Sequence, residues 1–421
     1  MTAVPVLIGM RPPVVETEAD AAPGAPLVDT HGRVHRDLRI SLTDRCSLRC
    51  TYCMPEQGNE WLAKTSILTL DEIERVARVA AADGITTFRL TGGEPLLRQD
   101  IVEVVRRLAR ITGPDGTPVE LAMTTNGIRL PEFLPGLVEA GLRRLNISLD
   151  TLRRDRFREL TRRDRLDDVL DGIAAAAASG LRPLKLNAVA MRGVNDDELV
   201  DLVEFAIAHD AQMRFIEQMP LDAGHTWDRS RMVTRDEILD TLSRRWSLTP
   251  VPGRGGAPAE RWMLDGGPHT VGVIASVTAP FCGDCDRLRL TADGQLRNCL
   301  FSTTEYDLLP ILRTASSSVA EPPSVASSAP VAEPPSVAGT APVAGSAPVA
   351  EPPSVAGSAP VAGSAPVAEP PSFAELVEAS SPLDEEIDRM LRSCVRGKLP
   401  GHAINDPSFL QPARGMNAIG G

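Results

Sequence analysis

The sequence predicts an α/β protein: an incomplete (βα)6 TIM-type barrel followed by a C-terminal extension. Three observations carry that prediction. Strand-like and helix-like segments alternate six times between residues 36 and 222, the pattern of a parallel sheet joined by crossover helices. Each strand keeps one polar face, whereas a sheet covered by helices on both sides reads as nearly continuous apolar runs. The strands also run into polar loops at the same end, where parallel α/β barrels build their sites.

In order, the expected strands are Leu38 to Leu42, Thr86 to Thr91, Val119 to Thr125, Arg144 to Leu149, Leu184 to Val189 and Met213 to Gln218. Helices are expected from Leu70, and over Asp100 to Arg110, Pro131 to Ala140, Leu166 to Ala178 and Asp197 to His209. Strand side chains alternate with period two. One face of the first strand therefore carries Arg39, Ser41 and Thr43, and one face of the second carries Arg89 and Thr91. Later strands place Thr124 with Asn126, then Asn146 with Ser148 and Asp150, then Lys185 with Asn187, and finally Arg214. Those faces should line a wet lumen that holds something charged. Only three of the 44 basic side chains are lysines, and Lys185 sits inside an apolar strand, where burial is costly without a partner. It reads either as an edge residue or as a point charge facing a phosphate.

Residues 1–35, rich in Pro, Ala and acidic side chains, read as a disordered lead-in, and 36–222 as the barrel. Residues 223–314 change character, opening with a Thr234-x-x-Glu237 capping box and continuing in short strands and Gly/Pro turns. Residues 315–380 are a linker in which Glu-Pro-Pro-Ser recurs, unable to bury a core. A helix and a Gly-Gly tail close the chain over 381–421.

With 56 acidic against 44 basic residues and 4% aromatics, the chain is a poor candidate for a nucleic-acid binder. The apolar run Val4 to Met10 is too short to span a membrane and lacks a preceding basic region. Seven cysteines, an odd total in two clusters plus Cys394, argue against a disulfide framework and for metal or redox ligands in a reducing, cytoplasmic setting.

The first cluster, Cys46, Cys50 and Cys53, is one thiolate short of a structural zinc site. Three thiolates on a cubane iron–sulfur cluster leave one iron open to a small chelating molecule. The second, Cys282, Cys285 and Cys299, is also a set of three, with Arg287 and Arg289 beside it on one strand face. It reads as another open cluster or as a zinc site completed by Cys394. Two arginines in that register suit anionic oxygens.

Cys-x3-Cys-x2-Cys with Tyr52 before the last cysteine resembles the radical S-adenosylmethionine superfamily. Adding Gly92-Gly93-Glu94-Pro95, the second cysteine set, Asp286-Arg-Leu-Arg289 and the terminal Gly420-Gly421, the chain is similar to the GTP 3′,8-cyclase family of molybdenum cofactor biosynthesis over 36–314 and 382–421. The resemblance implies two [4Fe-4S] clusters: Cys46, Cys50 and Cys53 hold the S-adenosylmethionine cluster, and Cys282, Cys285 and Cys299, in the C-terminal extension, the substrate cluster. It implies S-adenosylmethionine contacts at Tyr52, Gly93, Ser148 and Met219. It likewise implies GTP contacts at Arg39, Arg89, Thr124, Lys185, Arg287, Leu288 and Arg289. The implied reaction takes the ribose 3′ hydrogen with a 5′-deoxyadenosyl radical and joins C3′ to C8 of guanine, with Gly420 and Gly421 arranging basic groups. The product, (8S)-3′,8-cyclo-7,8-dihydroguanosine 5′-triphosphate, would pass to cyclic pyranopterin monophosphate synthase, and a separate electron donor is implied.

Two departures stand out. Thr87 occupies a position where relatives often carry a basic residue, and the repeat is not a family feature. Two other readings remain open: a peptide-modifying radical enzyme with an auxiliary cluster, and a zinc-stapled binding module without catalysis. The sequence leaves monomer and homodimer equally open.

Overall fold

In the computed structural model, residues 24–222, 224, 226–314, 381–406, 409–412 and 414–420 are described; the repeat linker and Gly421 lie outside them. Six parallel strands follow chain order: β1 (Asp37–Ser41), β2 (Thr87–Thr91), β3 (Glu120–Thr125), β4 (Arg144–Ser148), β5 (Leu184–Ala190) and β6 (Ala211–Glu217). Between them run α1 (Leu70–Ala82), α2 (Ile101–Leu108), α3 (Leu130–Ala140), α4 (Arg154–Thr161), α5 (Leu166–Ala178) and α6 (Leu199–Ala208). The helix ends have local causes. Thr69 and Glu72 form a reciprocal capping box at the start of α1. Gly141, at φ 110°, stops α3 in a left-handed conformation that a side chain would resist.

The barrel does not close. Strand β1 never meets β6; it pairs in parallel with β10 (Arg287–Leu290), and β6 pairs in parallel with β9 (Thr270–Ile274). Beyond those, β11 (Gln295–Arg297) and β12 (Tyr306–Asp307) extend one edge, and β8 (Glu260–Leu264) and β7 (Leu248–Val251) the other. The result is one twelve-stranded sheet. The region after residue 222 is thus continuous with the barrel's sheet at both edges. Buried Glu217 binds the seam, accepting backbone N–H bonds from Val277 (2.8 Å), Thr278 (2.9 Å) and Arg235 (2.8 Å).

Two further helices pack outside: α7 (Arg235–Ser243), started by the expected Thr234/Glu237 box, and α8 (Leu309–Thr314). After the linker, α9 (Pro382–Arg396) lays Ile387, Leu391, Cys394 and Val395 into the main core. A last short helix, α10 (Met416–Ile419), buries Ile419.

One expectation needs correction. Residues 24–35 are not a free lead-in: Val28 and Val34 form an antiparallel bridge, and Leu27, Asp29, Arg33 and His35 are buried. The cause is polar as well as apolar: Asp29 forms an ion pair with Arg33 (2.5 Å) and a hydrogen bond with His35 (3.2 Å), whose burial brings its pKa down to about 4 and keeps it neutral. Residues 1–23 lie outside the described part.

Candidate active site

The loop after β1 that carries the first three cysteines has little regular structure, and its shape comes from a neighbour. Backbone N–H groups of Arg49 and Thr51 donate to the carbonyls of Thr161 and Leu160, both 2.9 Å, at the end of α4. Just beyond, Arg162 reaches back to the carbonyls of Arg49 (2.9 Å) and Met54 (3.1 Å). The sequence reading did not identify α4, yet this helix seats the loop.

Gly92 and Gly93 press on the same loop from β2. A Cβ on Gly93 would lie 2.3 Å from the Arg45 carbonyl oxygen, and one on Gly92 2.4 Å from that of Thr43, so only glycine fits. Glu94, next in the chain, accepts from the Asn126 N–H (2.7 Å), the Thr125 hydroxyl (2.7 Å) and the Leu96 N–H (3.0 Å), aligning the loop after β3. The Tyr52 hydroxyl donates to Asp150 Oδ2 at 2.8 Å, which ties the cysteine loop to the end of β4.

A cavity of about 450 Å³ fills the barrel, within the usual range for ligand pockets. All six clustered cysteines face it, although the two sets stand more than two hundred residues apart. Tyr52, Gly93, Ser148, Met219, Arg39, Arg89, Thr124, Lys185, Arg287 and Arg289 line it as well. Leu288 does not; as the middle residue of the Arg-x-Arg strand it points into the core and is 0% exposed. Gly420 does not line the cavity; it is buried where its carbonyl accepts from the cavity residue Arg289 and where an added Cβ would meet Ser41 and Thr91. Cys394 does not line the cavity: its thiol is buried in the main core on α9, while Asn298, the residue before Cys299, donates to its backbone carbonyl (2.9 Å). The cavity also exposes Arg144 and Asp37, which the sequence reading passed over; strand parity was the signal, because both precede residues on the polar faces.

The second set is held from behind. Cys282 and Cys285 bracket a single 3-10 turn, and Cys299 follows β11. Arg33 donates to the Cys282 carbonyl (2.7 Å) and the Leu399 carbonyl (2.8 Å). Lys398, 4% exposed, donates to the Arg287 carbonyl at 2.7 Å. The Arg254 and Arg287 guanidiniums each sit 4.7 Å from the centre of the Phe281 ring.

Burial and crowding of like charge dominate the electrostatics. Burial, then Arg214, brings Lys185 down to about 7. Burial and Arg89 bring Arg214 to about 9, and burial and Arg287 bring Arg289 to about 10. Cations pressed together at this cost fit a polyanionic ligand. The cysteines differ by set. Burial and Glu94 push Cys46 up to about 11, and burial and Cys46 push Cys53 to about 12. Burial also raises the Cys285 thiol, but Arg287 and Lys398 outweigh it and bring it to about 7.

These residues fit the implied groups. Buried Arg39 Nε, Asn187 Oδ1 and Arg287 Nε have no hydrogen-bond partner, so the cavity wall presents unspent donors and acceptors. Among the described residues, no three His, Cys, Asp or Glu side chains converge tightly enough for a single metal ion. A cubane cluster spreads its thiolates over separate irons and does not ask for such convergence. Among those residues, no helix is long and apolar enough to cross a membrane.

A parallel partial barrel with a three-cysteine loop after its first strand defines a radical S-adenosylmethionine protein, and the Radical SAM superfamily model matches residues 40–206. The Molybdenum Cofactor Synthesis C model matches 211–321. GTP 3′,8-cyclase from Streptomyces coelicolor is 48% identical over 94% of this chain and 96% of its own length. The enzymes of that name from Corynebacterium glutamicum (42%, covering 94% of this chain and 89% of theirs) and Mycolicibacterium smegmatis (41%, 97% and 98%) are similar too. The chain belongs to the GTP 3′,8-cyclase family.

Proposed function

We propose that this chain cyclises GTP, joining C3′ to C8 to give the 3′,8-cyclo-dihydroguanosine triphosphate of molybdenum cofactor biosynthesis. The observation that carries the reading is the convergence of both cysteine sets and a strip of cations on one cavity. In this reading Cys46, Cys50 and Cys53 ligate one [4Fe-4S] cluster, with Tyr52, Gly93, Ser148 and Met219 around S-adenosylmethionine. Together those groups supply a carbon-centred radical that takes a C–H hydrogen. Cys282, Cys285 and Cys299 ligate a second cluster.

The chain's own residues bind and orient. Arg89 and Arg144 are separated on the sheet by Ala122, whose methyl leaves room for a phosphate between two guanidiniums. Lys185 and Arg214 face the same space and complete a cationic floor for the triphosphate. Thr87 contributes no charge there; Arg144, two strands away, brings a guanidinium to the cavity that is also paired with Glu120. Arg39, Arg287 and Arg289 lie toward the second cysteine set, on the neighbouring strands β1 and β10, with Arg39 in register with Arg289. Thr124 lines the same cavity from β3. Leu288 can reach substrate only through its backbone. The product would go to an enzyme that rearranges it to a cyclic pyranopterin monophosphate, and the electron comes from a separate donor.

Anaerobic reconstitution with iron and sulfide, then incubation with GTP, S-adenosylmethionine and dithionite, tests this directly. Mass spectrometry should find a nucleotide of unchanged mass to GTP but altered retention, together with 5′-deoxyadenosine. Deoxyadenosine without any new nucleotide would overturn the substrate assignment.

A further inference from the structure

The two cysteine sets sit in opposite electrostatic surroundings. Around the first are buried carboxylates: Glu94, 2% exposed, acts on Cys46, and Asp150, 6% exposed, acts on Cys50 and receives the Tyr52 hydroxyl. Arg49 is the opposing cation there. Around the second are cations. Arg287 follows Cys285 by two residues, Arg33 grips the Cys282 carbonyl, and Lys398 acts on both Cys285 and Cys299. Asp286, half-buried and lining the cavity, is the opposing carboxylate.

Lys398 is the unusual member. Arg33 is neutralised by Asp29 at 2.5 Å. Lys398 makes no salt bridge among the described residues; its ammonium donates to a backbone carbonyl, that of Arg287. A buried ammonium without a counter-charge is costly. The ionisable groups that favour its charged form are the Cys285 and Cys299 thiols of the second set, and it acts in turn on the Asp286 carboxylate and on Cys394. It is also a lysine in a chain whose other 41 basic residues outside Lys64 and Lys185 are arginines, so a compact point charge stands where a planar fork is the chain's habit.

We propose that Lys398 is a positioning residue for the electron: a fixed positive charge behind the second cysteine set that holds a cluster there at a more positive reduction potential than a cluster at the first set. The inference rests on the reading that the second set holds a cluster. The step is a one-electron reduction by an external reductant, dithionite in the assay; no bond forms or breaks, and the cluster becomes more negative by one charge. A nearby cation stabilises that added charge, and net local charge is one of the quantities that sets iron–sulfur potentials. Buried charges are weakly screened, so the effect reaches the cluster. The electron then rests preferentially beside the substrate arginines.

The test uses full-length protein with Cys46, Cys50 and Cys53 changed to Ala, so that only a second-set cluster contributes. Its midpoint is measured by a dithionite titration followed by electron paramagnetic resonance. Lys398→Gln removes the charge but keeps an N–H donor for the Arg287 carbonyl, and Lys398→Arg keeps the charge. The midpoint should move negative in the Gln variant and stay near its starting value in the Arg variant. An unmoved midpoint in the Gln variant overturns the role of Lys398. A separate comparison needs no change at Lys398: protein with Cys282, Cys285 and Cys299 changed to Ala should show a first-set midpoint below that of the second set. Equal or reversed midpoints overturn the inference even if Lys398→Gln does not fold. Absence of any iron–sulfur signal when the first set is removed would instead defeat the second-cluster reading itself.

Discussion

Arg289 donates to the carbonyl of Gly420, joining the strand beside the second cysteine set to the end of the chain. Three residues earlier, the Asn417 backbone N–H reaches Cys53, and its side chain holds the Asp44 carbonyl (3.1 Å) and accepts from Asn59 (2.9 Å). The tail thus touches both halves of the site within one helical turn. A chain ending at Ile419 should keep its iron and bind both GTP and S-adenosylmethionine, yet lose cyclised product by on the order of 100-fold, as misplacement of reacting groups does. Gly420→Ala should resemble it, because the added Cβ would meet Ser41 Oγ at 2.3 Å in a residue held at φ 82°. Chromatographic product yield at saturating ligand decides the matter; normal yield from either variant returns the tail to a passive role.

Arg287→Ala and Arg289→Ala each remove a charge-assisted contact worth roughly 1.5–3 kcal/mol, about 10- to 100-fold in affinity. GTP binding should weaken by that factor while S-adenosylmethionine binding holds. Calorimetry with each ligand separately distinguishes this from a structural role, which would weaken both.

Lys185 gives the site a pH signature. Its free-protein value, brought to about 7 by burial and by Arg214, leaves it largely neutral at pH 8. A bound triphosphate favours the charged form and raises that value, so binding above pH 7 must take up a proton. Affinity for GTP should fall as pH rises through 7, by up to about tenfold per unit until the bound-state value is passed. Calorimetry at pH 8 in buffers of different ionisation enthalpy should show the uptake, and Lys185→Met should lack it.

Gly93→Ala should damage the first cysteine set selectively. The new Cβ would sit 2.3 Å from the Arg45 carbonyl oxygen and 2.5 Å from that of Asp44, both backbone atoms that cannot yield without moving the loop. Reconstituted protein should lose about half its iron and its S-adenosylmethionine binding. Full iron with unimpaired binding would count against the glycine's steric role.

Much of this was written in the order of residues along the chain. The alternation of periods specified six parallel strands and their helices, and strand parity told which side chains face inward, because a pleated strand has only two faces. Thus Arg39, Arg89, Lys185 and Arg214 could be assigned to one lumen before any coordinates, and six cysteines could be grouped by spacing alone. Local patterns could not say that β10 and β9 flank β1 and β6, since those pairings join residues about 250 and 60 positions apart. Nor could they show that residues 24–35 fold back: Asp29 and Arg33 look like any acidic and basic pair until Cys282 and Leu399 arrive behind them. The seat of the first cysteine loop on α4 and the placing of Lys398 behind the second set have the same origin. Sequence determines which side chains a strand or turn presents, because that depends on neighbours a few residues away. Tertiary structure alone decides which presented groups meet, because burial, charge crowding and backbone contact are set by segments that the chain brings together only when folded.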